Sequence, residues 1–352
     1  MNIVIIGASH AGIALADNLR KDGYLDKIII IEKLQNIPVE KPPLSKKFLD
    51  SNFTEQNIFL RKKEWFIDNS IELLLDKKVS GINKDKNYVT LETKEIIEYD
   101  YLVVASGAKT NFLPENLISI DDQRTLRNFN DINKISNSLI GNKHITIVGG
   151  GYIGLELASS LKKNNYGVSV IEMSDRILER VASKELSEFF TKLHKGNGVN
   201  ILCNEKLEKV IKKDKGFHVK TTFNEFETDL ILVGIGVTPE IQLAQNIGIE
   251  CEKGIVVNEN YETSCKNIFS IGDCALNKNE YGMIIESIHH AQFSASRVTS
   301  HILGKPKPVY EEPWFWSDQF NIKFQSVGVY KSDTTTIHRL GRREGSHSWW
   351  SF

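Results

Sequence analysis

The chain has 352 residues, 41% of them hydrophobic and 25% charged, a length and composition that suit two or more globular domains. Its 44 Lys and Arg residues nearly balance 45 Asp and Glu residues. This balance argues for neither nucleic acid nor an anionic membrane surface as a partner, and any charged docking site must be local. No apolar run approaches the ~20 residues that a membrane span requires.

The N-terminus and the cysteines indicate a cytoplasmic protein. The chain runs from Met1 into a predicted strand without the basic region or the cleavage site of a signal peptide. Its cysteines, Cys203, Cys251, Cys265 and Cys274, form no C-x-x-C pair and have no spacing typical of a zinc site or an iron–sulfur cluster. We therefore expect thiols in a reducing compartment and no metal site.

The first nucleotide-binding motif begins at the N-terminus. Ile3–Ile6 predicts a strand, and the turn Gly7-Ala8-Ser9-His10-Ala11-Gly12 follows it directly. A helical segment comes next, and an apolar strand over residues 27–32 ends in Glu32 about 20 residues after the turn, as a dinucleotide fingerprint requires. Serine at the middle glycine position weakens this motif when it is taken alone. Glu32 is nevertheless a candidate to bind an adenosine ribose.

A second and stronger motif lies at residues 145–172. A β-branched run leads into Gly149-Gly150-Gly151-Tyr152-Ile153-Gly154, with glycine at the first, third and sixth positions. We expect the first glycine to allow the tight turn, the second to let the backbone reach the phosphates, and the third to let the helix pack close to the strand. The strand over residues 168–172 then closes in Glu172, ~20 residues downstream. Strand, turn, helix and acid in register predict a dinucleotide site.

Similar elements follow each motif in the same order. After the first motif, the predicted strands are 71–75, 78–83, 88–93 and 96–106, which ends at Gly107. After the second, a helix at 183–195 leads to strands at 199–203, 207–212, 217–222 and 228–233, which ends at Gly234 and Gly236. Two similar units thus lie in tandem, about 140 residues apart. Unless one unit is idle, a flavin that stays bound and a nicotinamide that comes and goes form the complementary pair.

A third glycine–acid element follows the second unit. Gly272-Asp273-Cys274 ends a predicted strand, where its carboxylate is placed to hold a ribityl hydroxyl. A helix predicted from residues 287–291 to residue 303 can aim its positive N-terminus at the pyrimidine ring of a flavin. His289 and His290 are adjacent and do not share a helix face, so a metal pair is not expected there. The aromatic cluster at 313–320 is either the core of a small third domain or a wall over a flat ring system.

Together these segments resemble the FAD-dependent, NAD(P)H-linked ferredoxin reductases. That group includes putidaredoxin and rubredoxin reductases and the reductases of bacterial aromatic-ring dioxygenases, with apoptosis-inducing-factor-like proteins as relatives. The resemblance is carried by residues 7–12, 42–46, 149–156, 272–274 and 314–319, and it runs from residue 1 to about residue 330. It implies an α/β fold of glutathione-reductase type, with two tandem Rossmann-like dinucleotide-binding domains and a small C-terminal α+β domain. The predicted domains are an FAD-binding domain at 1–110 and 243–308, an NAD(H)-binding domain at 111–242 and a partial interface domain at 309–352.

Carried over position by position, the resemblance implies the residues of both sites. FAD would be bound by Gly7, Ser9, Gly12, Glu32, Lys46, Gly107, Asp273, Ala291 and Trp316, and NAD by Gly149, Gly151, Gly154, Glu156, Glu172 and Gly236. The implied catalytic residues are Lys46 near flavin N5, its partner Glu156, and Trp316 close to the isoalloxazine. NADP-specific relatives favour positive charge where this chain has Glu172, so the resemblance indicates NADH rather than NADPH.

The implied function is that of a flavoprotein that takes hydride from NADH onto FAD. It would pass electrons singly to a [2Fe–2S] ferredoxin or rubredoxin-like partner of an oxygenase system, and a homodimer is allowed. The sequence ends at Trp349-Trp350-Ser351-Phe352, short of the usual end of the family's third domain, so an FAD- and NADH-binding protein with little turnover is the alternative. A disulfide reductase or an NADH oxidase needs a redox-active cysteine in the proline-rich segment, where this chain has Ser45.

Overall fold

The computed structural model describes residues 1–50, 52–330, 336–340 and 347–351. The chain divides into two compact units, each assembled from three segments. Unit 1 comprises Met1–Glu40, Thr54–Lys109 and Thr238–Phe315, and unit 2 comprises Lys41–Phe53, Thr110–Val237 and Trp316–Phe352. The domain boundaries expected from the sequence stay predictions.

Strands outnumber helices in the described chain and often follow one another directly. The strands are β1 (Ile3–Ile6), β2 (Ile28–Ile31), β3 (Ile71–Leu74), β4 (Val79–Asn83), β5 (Tyr88–Leu91), β6 (Ile96–Glu98), β7 (Tyr101–Val104), β8 (Ala108–Thr110), β9 (His144–Val148), β10 (Gly167–Ile171), β11 (Asn200–Leu202), β12 (Leu207–Lys212), β13 (Phe217–Thr221), β14 (Glu225–Thr228), β15 (Leu230–Val233), β16 (Val237–Pro239), β17 (Ile255–Val257), β18 (Ile268–Ser270), β19 (Ala275–Asn277), β20 (Trp314–Gln319), β21 (Ile322–Val327), β22 (Thr336–Leu340) and β23 (His347–Ser351). The helices are α1 (His10–Lys21), α2 (Pro42–Lys46), α3 (Lys63–Asp68), α4 (Phe129–Leu139), α5 (Tyr152–Lys163), α6 (Lys184–Gly196), α7 (Gln242–Gln245) and α8 (Ile288–Ile302). Among these described helices, none is long and apolar enough to cross a membrane.

Unit 1 is built on a parallel sheet with the strand order β18-β7-β1-β2-β3. Every residue of β1 and β2 is buried, and their sequences, Ile-Val-Ile-Ile and Ile-Ile-Ile-Ile, lack polar alternation. This is typical of strands that are covered on both faces. Residues of α1 and α8 share one core cluster with β1, and the antiparallel sheet β4-β5-β6 completes the unit.

Unit 2 repeats this plan. Its parallel sheet has the order β11-β10-β9-β15, with β9 and β10 paired in register from His144 and Gly167 to Val148 and Ile171. The antiparallel sheet β12-β13-β14 corresponds to β4-β5-β6 of unit 1. The α/β fold with two tandem Rossmann-like units is therefore confirmed. In both units the loops that follow the parallel strands meet at one edge of the sheet, where open α/β sheets bind nucleotides.

Two segments that the sequence presents as single strands are each divided. Residues 96–106 form β6, which is antiparallel to β5, and β7, which is parallel to β1. Between them Tyr99 donates its backbone N–H to the carbonyl oxygen of Asn87, and the Asp100 carboxylate accepts the backbone N–H of Asn2 at 2.5 Å. Residues 228–233 similarly contain the end of β14 and all of β15. Neither break contains glycine or proline, and the single aspartate in each, Asp100 and Asp229, is too weak a turn signal to mark it.

The C-terminal segment forms two hairpin-like pairs. β20 pairs with β21, and β22 pairs antiparallel with β23. The tryptophan-rich end of the chain, which resembles a strand without partners in the sequence, thus has β22 as a neighbour. Phe352 lies outside the described residues.

Candidate functional site

Each parallel sheet leads into a glycine turn at the carboxyl end of its first strand. Gly7 follows β1 with a φ of +107°, and Gly149 follows β9 with a φ of +112°. A Cβ atom at Gly7 would lie 2.3 Å from the carbonyl oxygen of Ala105, and one at Gly149 would lie 2.4 Å from that of Gly234. Only glycine combines this backbone conformation with so close an approach. The two turns are therefore one structure formed twice.

The last glycine of each turn brings the following helix against the strand. A Cβ atom at Gly12 or at Gly154 would lie 2.1 or 2.2 Å from the carbonyl oxygen of the first glycine of its turn. The middle position is different, because nothing lies within 4 Å of a Cβ atom at Gly151. Ser9 occupies the corresponding position in unit 1. A serine side chain at this position meets no steric clash. The serine weakens the first motif as a sequence signal but does not disturb the turn itself.

Helices α1 and α5 begin at these turns without a side-chain cap. Ser9 and Gly151 are their N-cap residues, and neither forms a side-chain cap hydrogen bond. In contrast, Asn128, Ser183 and Ser287 cap α4, α6 and α8 with their side chains. The uncapped N–H groups and the positive helix ends suit an anion. Together with the open space at Gly151, they fit the pyrophosphate of a dinucleotide in each unit.

An acid fixes each turn from the end of the neighbouring strand. Glu32, after β2, accepts the N–H of Ala8 at 2.9 Å and the N–H two residues beyond itself at 3.0 Å. Glu172, after β10, accepts the N–H of Gly150 at 2.7 Å and the N–H two residues beyond itself at 2.9 Å. An ionised carboxylate has about four acceptor positions. Each acid therefore orders its turn and retains acceptors for ribose hydroxyls.

The residues predicted to bind the flavin nucleotide in unit 1 come together at the edge of its sheet. Gly272 begins a short 3-10 turn that contains Asp273, and a Cβ atom at Gly272 would lie 3.0 Å from the Cβ of Ala11 and 3.9 Å from that of Ala291. The first glycine turn, the turn that contains Gly272 and Asp273, and the start of α8 are thus neighbours. The predicted residues that belong to unit 1 are Gly7, Ser9, Gly12, Glu32, Gly107, Asp273 and Ala291.

Unit 2 holds the predicted NAD residues, and also Lys46 and Trp316. Gly236 lies beyond β15 on the same edge of the sheet as the second glycine turn. A Cβ atom at Gly236 would lie 3.4 Å from a guanidinium nitrogen of Arg180 and 3.8 Å from Nδ2 of Asn111. The exposed Arg180 has the chemistry to bind an anionic phosphate. Nothing in the sequence around Arg180 marks it as close to Gly236, so only the fold identifies it as a residue of this site.

Glu156, in the second turn of α5, is the centre of a buried polar cluster in unit 2. Its side chain is 2% exposed, and Oε1 lies 2.9 Å from Nζ of Lys46. The Ser45 hydroxyl donates to Oε2, and the Ser317 hydroxyl donates to Oε1 at 2.6 Å. Trp316 immediately precedes Ser317 in β20. A buried carboxylate is costly unless it is paired and hydrogen-bonded. Here one ammonium group and two hydroxyls meet that requirement.

The Ser317 hydroxyl is held in turn by further buried side chains. Gln319 donates from Nε2 to Ser317 Oγ at 3.0 Å, and its Oε1 lies 2.8 Å from Nε2 of His194. All three side chains are fully buried. Ser317 and Gln319 are two residues apart in a strand and share a face, which the sequence shows. His194 is 125 residues away from Gln319, so no local pattern connects them.

His194 predicts a loss of stability in acid. Burial lowers the pKa of its ring from the ordinary 6.5 to about 4. The unfolded chain binds this proton more tightly, so the stabilisation is complete above pH 6.5 and is lost as the pH falls toward 4, by on the order of 3 kcal/mol. Urea unfolding across this range measures the loss. His194→Gln cannot titrate and should lose less stability in acid; equal losses in both proteins would contradict the prediction.

The adjacent histidines of α8 have separate partners in unit 1. Nε2 of His290 lies 2.9 Å from the Tyr261 hydroxyl and 3.1 Å from a carboxylate oxygen of Glu280. His289 lies 2.8 Å from a carboxylate oxygen of Glu311. Among the described residues, no group of three or more His, Cys, Asp or Glu side chains is arranged to hold a metal ion.

Comparison with known families accounts for this arrangement of turns and acids. The family model described as pyridine nucleotide-disulphide oxidoreductase matches residues 1–295, and the model described as reductase C-terminal matches residues 314–352. The chain belongs to the pyridine nucleotide-disulphide oxidoreductase family. Since members of this family use FAD and NAD(P)H, the protein is a flavin-dependent oxidoreductase.

Three relatives show which branch of the pyridine nucleotide-disulphide oxidoreductases it resembles. Rhodocoxin reductase of Rhodococcus erythropolis is 32% identical over 345 residues, which cover 96% of this chain and 81% of the relative. Putidaredoxin reductase, in its covalent complex with putidaredoxin, matches with a TM-score of 0.94 and 32% identity, over 99% of this chain and 86% of that one. The ferredoxin reductase for the CYP199A2 system of Rhodopseudomonas palustris matches with a TM-score of 0.94 and 31% identity, over 100% and 88%.

Proposed function

We propose that this protein takes hydride from NADH onto FAD and passes electrons singly to a ferredoxin- or rubredoxin-like protein. The observation that carries the proposal is the presence of two glycine turns, one in each unit. Each turn leads into a helix without a side-chain cap, and each has a glutamate carboxylate that accepts one of its backbone N–H groups. Two such turns suit two dinucleotides. The relatives named above, reductases of rhodocoxin, putidaredoxin and ferredoxin, support the choice of acceptor. When bound, FAD converts a two-electron donor into single electrons.

The residues of the two units have separate roles in this proposal. Those of unit 1 bind FAD: the first glycine turn holds the pyrophosphate, Glu32 the adenosine ribose and Asp273 the ribityl chain, with Gly107 and Ala291 beside them. Those of unit 2 bind NADH: the second turn holds the pyrophosphate, Glu172 the adenosine ribose, and Gly236 lines the site together with Arg180. The chemistry of each donor set fits its ligand, because backbone N–H groups meet phosphates and carboxylates meet hydroxyls.

Lys46, Glu156 and Trp316 are the proposed catalytic residues. The Lys46 ammonium, held 2.9 Å from Glu156, supplies a fixed positive charge that stabilises negative charge on the flavin. Its long side chain would sample many rotamers if Glu156 did not hold it. Trp316 provides a half-buried aromatic surface next to Ser317 in β20, which suits a flat ring system.

Glu172 predicts a preference for NADH. Its carboxylate, ordered by two N–H groups, would repel the 2′-phosphate of NADPH. Glu172→Gln keeps an acceptor oxygen for Gly150 and removes the charge. We expect the ratio of kcat/KM for NADPH to that for NADH to rise about tenfold, equivalent to ~1.4 kcal/mol. Glu188→Gln, at an exposed position of α6, is the charge-matched control. An unchanged ratio in Glu172→Gln would remove this residue from cofactor selection.

The type of electron acceptor, the cellular location and the oligomeric state belong to the same proposal. The acceptor is a [2Fe–2S] ferredoxin or a rubredoxin-like protein of an oxygenase system, and no nucleic acid or membrane takes part. A cytoplasmic location is supported by the four cysteines, which are free thiols in the structure. A homodimer is compatible with this proposal, and sedimentation of the FAD-loaded protein tests for it.

The deciding experiment is the NADH-dependent reduction of purified one-electron acceptors. The FAD-loaded protein, mixed with NADH and a [2Fe–2S] ferredoxin or a rubredoxin, should bleach the acceptor catalytically, with two acceptor molecules reduced for each NADH consumed. Dichloroindophenol, a dye that needs no docking, serves as the control acceptor. Flavin and NADH binding without turnover on any acceptor would instead identify a nucleotide-binding module. Turnover on the dye alone would overturn the class of partner and leave the flavin chemistry standing.

A further inference from the structure

A line of buried hydrogen bonds in unit 2 ends at the carboxylate of Glu156. Starting from the far end, Nε2 of His194 meets Oε1 of Gln319 at 2.8 Å, and Nε2 of Gln319 meets Oγ of Ser317 at 3.0 Å. The Ser317 hydroxyl then meets Oε1 of Glu156 at 2.6 Å. None of the side chains in this line is more than 2% exposed. Water therefore does not replace any of these bonds if one is lost.

The carboxylate fixes the direction of every bond in the line. An ionised carboxylate only accepts, so the Ser317 hydroxyl must donate to Glu156. With its proton used, Ser317 accepts from the amide group of Gln319, which leaves the Gln319 carbonyl oxygen facing His194. That oxygen requires a donor, so His194 carries its proton on Nε2. Bonds aligned in one direction polarise one another and strengthen the last one.

We propose that Ser317, Gln319 and His194 are positioning residues. They form a one-way hydrogen-bond chain that fixes the carboxylate partner of Lys46, and this role rests on the function proposed above. Without this hydrogen-bond chain, Glu156 would keep the Lys46 ammonium and the Ser45 hydroxyl as partners. It would lose the hydrogen bond from Ser317 that fixes the orientation of its carboxylate. The ammonium would then be held less firmly at the point where its charge is needed.

The chain does not act as a proton relay. A relay requires each member to accept and release a proton, and the amide of Gln319 does neither at neutral pH. The ring of His194 is fully buried, and burial lowers its pKa to about 4, so it stays neutral under the conditions of turnover. The chain therefore acts through geometry.

The same hairpin provides a matched control residue. Ser159, one turn after Glu156 on α5, accepts the backbone N–H of Phe320 at 2.6 Å and is 2% exposed. Like Ser317, it is a buried serine that joins α5 to the β20–β21 hairpin. Unlike Ser317, it makes no bond to Glu156. Ser159→Ala thus removes a comparable anchoring bond and leaves the chain intact.

The first measurement is stopped-flow reduction of the FAD-loaded protein by NADH. Ser317→Ala should lower the limiting rate constant about fivefold with little change in the Kd for NADH, as expected for loss of one buried hydrogen bond. His194→Leu should also lower it, and His194→Gln, whose amide can donate to Gln319, should restore it. Ser159→Ala should leave the rate near that of the unchanged protein. Equal slowing by Ser159→Ala and Ser317→Ala, or no rescue by His194→Gln, would overturn the proposal.

The second measurement does not depend on activity. Nitrogen-15 NMR of histidine-labelled protein should show His194 as the neutral Nε2–H tautomer, and Gln319→Leu should change its shifts. Urea unfolding of Ser317→Ala, His194→Leu and the double variant should give losses that do not add, although the two residues are not in contact. Additive losses in the free energy of unfolding, or the Nδ1–H tautomer of His194, would contradict the proposed hydrogen-bond chain. Lys46→Ala distinguishes failure of the proposed function from failure of this inference. If FAD in Lys46→Ala is reduced by NADH at the normal rate, the proposed role of Lys46 fails, whatever the hydrogen-bond chain variants show.

Discussion

Replacing Lys46 with alanine is expected to slow the reduction of bound FAD by NADH by roughly 100-fold. The Lys46 side chain is 10% exposed and its ammonium lies 2.9 Å from Glu156, so it supplies positive charge in a site with little water. NADH affinity should change little, because the glycine turn and Glu172, which we propose bind it, are untouched. Stopped-flow absorbance at the flavin band, over a range of NADH concentrations, gives the limiting rate constant and the Kd separately.

The neighbouring lysine is the control for this experiment. Lys47 follows Lys46 directly and is exposed, so Lys47→Ala removes the same charge from the same segment without touching Glu156. FAD bound to Lys47→Ala should be reduced by NADH at the normal rate. If both variants slow equally, net charge explains the effect and the pair has no special role. If neither slows, Lys46 is not catalytic.

Lys46→Ala also leaves Glu156 buried without its cation, at a cost of about 3–5 kcal/mol in the free energy of unfolding. Pairing the change with Glu156→Gln removes the uncompensated charge and should recover much of that stability. The double variant should remain slow in flavin reduction. A recovered rate in this stable double variant would show that Lys46→Ala acts through misfolding alone.

Gly154→Ala is expected to have the second large effect. Its new Cβ atom would lie 2.2 Å from the carbonyl oxygen of Gly149, so α5 must move away from the strand that it packs on. We expect a loss of about 1–3 kcal/mol in stability and an NADH Kd raised at least tenfold. FAD binding should persist, because the residues proposed to bind the flavin nucleotide belong to unit 1. Fluorescence titration with NADH and the flavin content after purification measure the two effects.

Two other glycines show whether the position or the residue type matters. Gly151→Ala meets nothing within 4 Å and should fold normally. Its methyl group would lie where we propose that the phosphates approach, so only NADH binding should weaken. Gly196→Ala, near the end of α6, also meets nothing and should change neither property. NADH binding by Gly154→Ala with normal affinity would mean that the close approach of helix and strand is not required.

Local chemistry explains how much of the molecule was predictable. A strand, a glycine turn, a helix and an acid lie within about 30 residues of one another, so their order and spacing are visible in the sequence. The two turns at Gly7 and Gly149, the acids Glu32 and Glu172, and the acid turn at Asp273 all follow from such local patterns. The division of residues 96–106 into two strands did not, because both strands are rich in apolar residues and the break contains only one residue that favours turns, Asp100.

The sequence by itself determined the repeated fold, the family resemblance and the residue types that meet phosphates and riboses, because those depend on backbone conformations that only a few residues allow. The tertiary structure alone decided which distant side chains share a buried space. It placed Ser45 and Ser317 on the two oxygens of Glu156, Arg180 beside Gly236, and His194 against Gln319. A buried polar group must find its partner wherever the chain brings one, and sequence separation does not limit that choice.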